Sequence, residues 1–91
     1  MISEIRHTAR FRKSVRRCQK KHKDLDALFD VIDRIQKGEK LSKRYRLHPL
    51  KGNYQGFYEC HIESDWLLLY YIEGDVLVLV DTGSHRELLK R

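Results

Sequence analysis

The 91 residues suffice for one compact domain with a single core and are too few for two, so the chain is read as one domain spanning 1–91. Hydrophobic residues make up 41% and charged residues 35%, and the longest apolar run, 66–72, is far short of the roughly 18 residues a membrane span needs, which excludes a spanning helix and a membrane partner. The net charge of +6 is unevenly placed: residues 1–46 carry 15 Lys/Arg against 6 Asp/Glu, a net of +9, whereas residues 47–91 carry 4 against 7, a net of −3.

Residues 2–6 read as the start of a short strand. Thr8 is then placed to cap a helix whose apolar positions, Phe11, Val15 and Cys18, make one narrow stripe with His22 as a candidate fourth member. Nine basic residues and no acidic one lie between Arg6 and Lys23, a concentration that points to a polyanionic or acidic protein partner. Arg10, Arg12, Lys13, Arg16, Arg17 and Lys20 are the candidate contacts there. A second helix is marked by Asp24 or Asp26 at its start, by Leu25, Leu28, Phe29, Ile32 and Ile35 on one face, and by Gly38 where a left-handed cap belongs. Residues 39–55 have no sustained period and hold the single proline, Pro49, so they read as a long connection with a short extended piece at 45–50.

The remainder is β. Residues 57–62 alternate, with Tyr58, Cys60 and Ile62 on one face and Phe57, Glu59 and His61 on the other; 66–72 is continuously apolar, as a central strand would be; 76–80 is a third strand after a Glu73-Gly74-Asp75 turn. Helices first and a strand meander afterwards give an α+β fold, with the helical hairpin packed on one face of a small antiparallel sheet and the other face left available. Cys18 and Cys60 sit in no metal-binding spacing and are expected as free, buried thiols. The first residues lack the apolar segment of a signal peptide, and the expectation is a cytoplasmic protein.

The alternation sets Glu59 and His61 side by side on the available face, with Asp65 in the turn beyond and with His48 and His85 flanking in sequence. A carboxylate beside an imidazole orients its tautomer and supports its protonated form, and Glu59 is read as the partner of His61. Three histidines with carboxylates also raise a zinc site, but no HExxH or similar ligand spacing is present, and no metal or other cofactor is assigned.

The stretch His48-Pro49-Leu50-Lys51-Gly52-Asn53-Tyr54-Gln55-Gly56-Phe57-Tyr58-Glu59-Cys60-His61-Ile62-Glu63-Ser64-Asp65-Trp66-Leu67-Leu68-Leu69-Tyr70, followed by Thr82-Gly83-Ser84-His85, resembles the signature of the YafQ branch of the RelE/YafQ superfamily. The resemblance implies a RelE-like fold and the toxin of a type II toxin–antitoxin system, a ribosome-dependent, metal-independent mRNA endoribonuclease that inhibits translation. It implies as partners a cognate antitoxin, through which the complex binds operator DNA, and the ribosome with its message. His48, Glu59, His61, Asp65 and His85 are the positions it marks as catalytic, with general acid and base work by imidazoles; Lys51 and Arg86 join the basic helix as RNA contacts. The alternative is a non-catalytic RNA- or antitoxin-binding module, a degenerate toxin. Three positions depart from the pattern: Tyr58 and Asp81 stand where arginine is usual, and Leu89 where an aromatic residue commonly closes the chain. Tyr58 has the parity of the buried face, whereas Asp81 is expected close to His85, where either Lys51, Arg86 or Lys90 compensates its charge or the activity is weak.

Overall fold

A computed structural model describes residues 2–88. Leu89 and Lys90, both singled out above, lie outside the described residues. Eight elements follow one another: β1 (Glu4–His7), α1 (Ala9–Lys20), α2 (Leu25–Gln36), β2 (His48–Pro49), β3 (Tyr58–Glu63), β4 (Trp66–Glu73), β5 (Val76–Gly83) and α3 (His85–Leu88). The long connection is broken into short pieces by two 3-10 turns, Lys43–Tyr45 and Gly52–Tyr54.

The two long helices begin and end for identifiable reasons. Thr8 caps α1 by accepting from the Phe11 N–H at 2.9 Å, and its own hydroxyl donates to the Val80 carbonyl at 2.7 Å, which pins the helix start to β5. Asp24 caps α2 through the Asp26 N–H at 3.1 Å. Both helices stop in the same motif, with a left-handed residue just past the end. His22 (φ 59°) donates to Gln19 and Lys23 to Cys18; Gly38 (φ 76°) donates to Ile35 and Glu39 to Arg34. His22 therefore belongs to a cap and not to the apolar stripe, because a left-handed backbone turns it away from the helix. In α2, Val31 is buried while Phe29 is 49% exposed, so the inward face is rotated from the one expected.

The sheet has the order β1-β5-β4-β3-β2, with β4 at its centre as expected. The meander β2 to β5 is antiparallel, but β1 pairs with β5 in parallel, from Glu4 opposite Val76 to His7 opposite Leu79. The sheet is thus mixed, not wholly antiparallel. A tight turn fixes relative direction only for consecutive strands, and β1 and β5 are separated by nearly the whole chain.

Phe11 and Cys18 of α1 and Leu28, Val31, Ile32 and Ile35 of α2 cover Cys60, Trp66, Leu68, Tyr70, Leu77 and Leu79 of the sheet in one apolar cluster. Both cysteines are free and buried, and burial pushes the Cys60 thiol up to about 12. Tyr58 lies on this side too, stacked on Tyr70 with ring centroids 5.7 Å apart, though it remains exposed near the sheet edge. No helix among the described residues is long and apolar enough to cross a membrane.

Candidate active site

The face of the sheet away from the helices carries Glu59 and His61 on β3, both buried. In the β2–β3 ladder His48 lies directly opposite Glu59, and the imidazole Nε2 is 3.5 Å from the Glu59 carboxylate. The other ring nitrogen, Nδ1, is 2.7 Å from the Arg46 carbonyl. A carbonyl only accepts, so Nδ1 carries the proton and Nε2 is left to face the site. Glu59 was expected to orient His61; the structure shows it paired with His48. Neighbours two apart on one strand point the same way in parallel, whereas the directly opposite residue on the next strand comes closest.

Asp65 and His85 form the second carboxylate–imidazole pair. Asp65 sits in the β3–β4 turn, and its Oδ1 accepts from both the His85 backbone N–H at 2.9 Å and His85 Nδ1 at 2.7 Å. These two bonds, the amide first, hold the Asp65 carboxyl below its ordinary value. They also fix the His85 tautomer, and among the described residues Nε2 makes no hydrogen bond.

The position of His85 is set by the local sequence. Ser84 and Glu87 make a reciprocal capping box: the Ser84 N–H donates to Glu87 Oε1 at 2.8 Å, and the Glu87 N–H donates to Ser84 Oγ at 3.2 Å. His85 is consequently the first residue of α3, and its backbone N–H has no partner within the helix, which leaves it for Asp65. Gly83 permits the fold-back, since a Cβ there would lie 2.8 Å from Glu87 Oε1. Glu87 in turn meets Arg17 at 2.9 Å and Lys21 at 3.0 Å, tying α3 to α1. Burial pushes the Glu87 carboxyl up, but the Ser84 amide, Lys21 and Arg17 outweigh it and hold the group below its usual value. The Ser84-to-Glu87 spacing was legible in the sequence as a helix start, and it was missed there.

His61 links the two pairs. Its ring centroid lies 6.3 Å from that of His48 and 5.4 Å from that of His85, and its Nδ1 is buried with no hydrogen-bond partner. All five candidate residues are thus brought together: Glu59 with His48, then His61, then His85 with Asp65. Trp66 anchors the end of β4 beside them, its indole N–H donating to Thr82 Oγ1 at 2.9 Å while that hydroxyl donates to the Leu67 carbonyl at 2.6 Å. Among the described residues no three His, Cys, Asp or Glu side chains converge as a metal-ligand set.

Asp81, expected close to His85, is engaged by other residues. Its contacts put it against α1, where it is 3% exposed, accepts from Ser14 Oγ and the Thr82 N–H, and pairs with Arg10 at 2.8 Å. A one-residue register shift between β4 and β5 brings Thr82 opposite Leu68 on the same side. The carboxylate is therefore a polar anchor for α1 and does not oppose the histidines. Of the candidate RNA contacts, Arg10 and Arg17 are committed to Asp81 and Glu87, and Arg12 hydrogen-bonds His7. Lys13, Arg16, Lys20, Lys51 and Arg86 are exposed and make no ion pair among the described residues.

A family model described as the bacterial toxin of type II toxin–antitoxin systems, YafQ, matches residues 3–90. The mRNA interferase toxin YafQ of Escherichia coli is 33% identical over 86 residues, which cover 93% of this chain and 94% of that one. The crystal structure of a copper-bound mutant toxin from Helicobacter pylori is similar with a TM-score of 0.92 at 34% identity, over 97% of this chain and 99% of that one. The Escherichia coli DinJ–YafQ toxin–antitoxin complex gives a TM-score of 0.86 at 32% identity, over 92% and 93%.

Proposed function

Since the chain belongs to the YafQ family of type II toxin–antitoxin toxins, and is accordingly an mRNA endoribonuclease whose protein partner is a cognate antitoxin, we propose that it cuts message on the ribosome, in the cytoplasm, by proton transfers between imidazoles. The observation that carries this reading is the pair of carboxylate-backed histidines on either end of His61. The 2′-hydroxyl of one nucleotide attacks the adjacent phosphorus as a base takes its proton, and the leaving 5′-oxygen receives a proton from an acid. The products are a 2′,3′-cyclic phosphate and a 5′-hydroxyl. His48 and His85 each present Nε2 with Nδ1 already bonded, which suits them to these two transfers, each worth roughly 10²- to 10⁴-fold. Asp65 orients the His85 ring through Nδ1, and Glu59 faces Nε2 of His48. His61 sits between them as the neighbour of the reacting phosphate.

Nothing in this set of protonic groups requires a bound metal, and the reading takes the reaction to be metal-independent. Ribosome dependence is a matter of positioning: a flexible strand held in line gains much of what intramolecularity can supply. Lys13, Arg16 and Lys20, with Arg12, Lys51 and Arg86, are assigned to phosphates of ribosomal RNA and message, while the complex with antitoxin reaches operator DNA through the antitoxin. In a test on programmed ribosomes, the wild type stripped with chelator and returned to the ribosome buffer cuts bound message, and His85→Ala lowers the single-turnover rate by roughly 10²- to 10⁴-fold with an unchanged melt. Equal cutting of free RNA would refute ribosome dependence. Binding to ribosomes with no cleavage by the wild type would make the chain a binding module.

A further inference from the structure

We propose that Arg46, with Arg44 beside it, forms an anion subsite for the phosphate flanking the scissile linkage. The inference rests on the histidine reading of the site above. The five-residue array contains two carboxylates, Glu59 and Asp65, and no permanent cation, so by itself it repels a phosphodiester. A guanidinium at the edge of the array reverses that balance, and its planar fork matches two phosphate oxygens.

The fold supplies one. The register of β2 against β3 pairs His48 with Glu59, and Arg46, two residues before His48, lines one cavity together with His61. A cavity of about 340 Å³ opens there, with Arg44, Arg46, His61, Glu63 and Ser64 among its walls. The cavity therefore leads from the two arginines to the imidazole at the centre of the array. Arg44 is held in place: its guanidinium lies over the Tyr45 ring at 4.6 Å and donates to the Tyr45 hydroxyl at 2.6 Å. Arg10, Arg17 and Arg34 each close on a carboxylate, whereas among the described residues neither Arg44 nor Arg46 does.

The backbone at Arg46 separates the side chain's task from the main chain's. Arg46 adopts a left-handed conformation, φ 48° and ψ 40°, and this aims its carbonyl at His48 Nδ1. Glycine or asparagine performs that turn with less strain. The long cationic side chain adds nothing to the turn, and its position beside the cavity is what an arginine there contributes.

Arg46→Gly makes the test, because it keeps the turn and the carbonyl and removes only the guanidinium. The expected result is a single-turnover cleavage rate on programmed ribosomes that falls about 10- to 100-fold, the loss of one charged hydrogen bond in the transition state, with a melt no lower than the wild type. Arg46→Lys recovers part of that rate. A second measurement uses a short RNA with 2′-O-methyl groups, which cannot be cut, titrated against the free protein while the His48 and His61 ring signals are followed by NMR. The wild type shifts these signals at lower RNA concentration than Arg46→Gly does. If the wild type does not cleave but shows this Arg46-dependent binding, the catalytic reading fails and the subsite stands. Equal cleavage by wild type and Arg46→Gly, or equal or absent response of the two proteins to the RNA, overturns the subsite.

Discussion

The two faces of one sheet are built from alternate residues of the same strands and serve opposite ends. Toward the helices, Cys60, Leu68, Tyr70, Leu77 and Leu79 meet the apolar faces of α1 and α2, and even the charged residue on that side, Asp81, is fully engaged by Ser14, Thr82 and Arg10. Toward the other side, Glu59 and His61 are equally buried in the strand, yet His61 retains an unpartnered Nδ1, and the side chains of His48 and His85 on either side of it are half exposed. Asp81 on the first face is closed off, whereas His61 on the second is left with capacity. Satisfied groups stabilise; unsatisfied ones are what a substrate can use.

The sharpest break of this contrast comes from truncating the apolar face. Leu68→Ala, at a position with no exposure, is expected to cost roughly 2–5 kcal/mol of unfolding free energy. The measurement is urea denaturation alongside cleavage per folded molecule, and the rate of the folded fraction should stay near that of the wild type. A variant that folds normally and cuts slowly would show that the two faces are coupled.

Asp81→Arg probes the polar anchor on the same side. It places a cation against Arg10 and strips acceptors from Ser14 and the Thr82 amide, so a loss of about 2–3 kcal/mol is expected, at the lower end for a buried pair because Arg10 is half exposed. Cleavage by the folded variant should not rise. An accelerated rate would mean that the carboxylate acts on the histidine face after all.

The smallest effect belongs to Asp65, and it is a pH dependence. Its carboxyl is held below the usual carboxylate value by the His85 amide and ring, so the folded state binds its proton later than the unfolded chain. The stabilisation it brings is present above the unfolded carboxylate range and is lost as pH falls through the folded value. In Asp65→Asn that dependence should disappear, and the stability curves of wild type and variant should converge on acidification below about pH 4. Curves that stay parallel through the acid range would show that the His85 contacts contribute no linkage.

Much of the fold was legible because it is local. Thr8, Asp24 and Gly38 mark helix ends through bonds made within a few residues, and the alternation at 57–62 with the continuous run at 66–72 distinguishes the half-open strand from the central one. The five candidate residues were named from parity and from a long motif. What the sequence could not decide was partnership, because hydrogen bonds between strands depend on register and on which strand lies next door. Register set Glu59 opposite His48, and the turn before β2 brought Arg46 to a cavity that His61 also lines. Strand adjacency made β1 a parallel edge, and the α1 contact turned Asp81 into an anchor. Local chemistry writes the elements into the chain, while pairings between residues up to 72 positions apart, such as Thr8 with Val80, exist only once tertiary packing has brought the strands together.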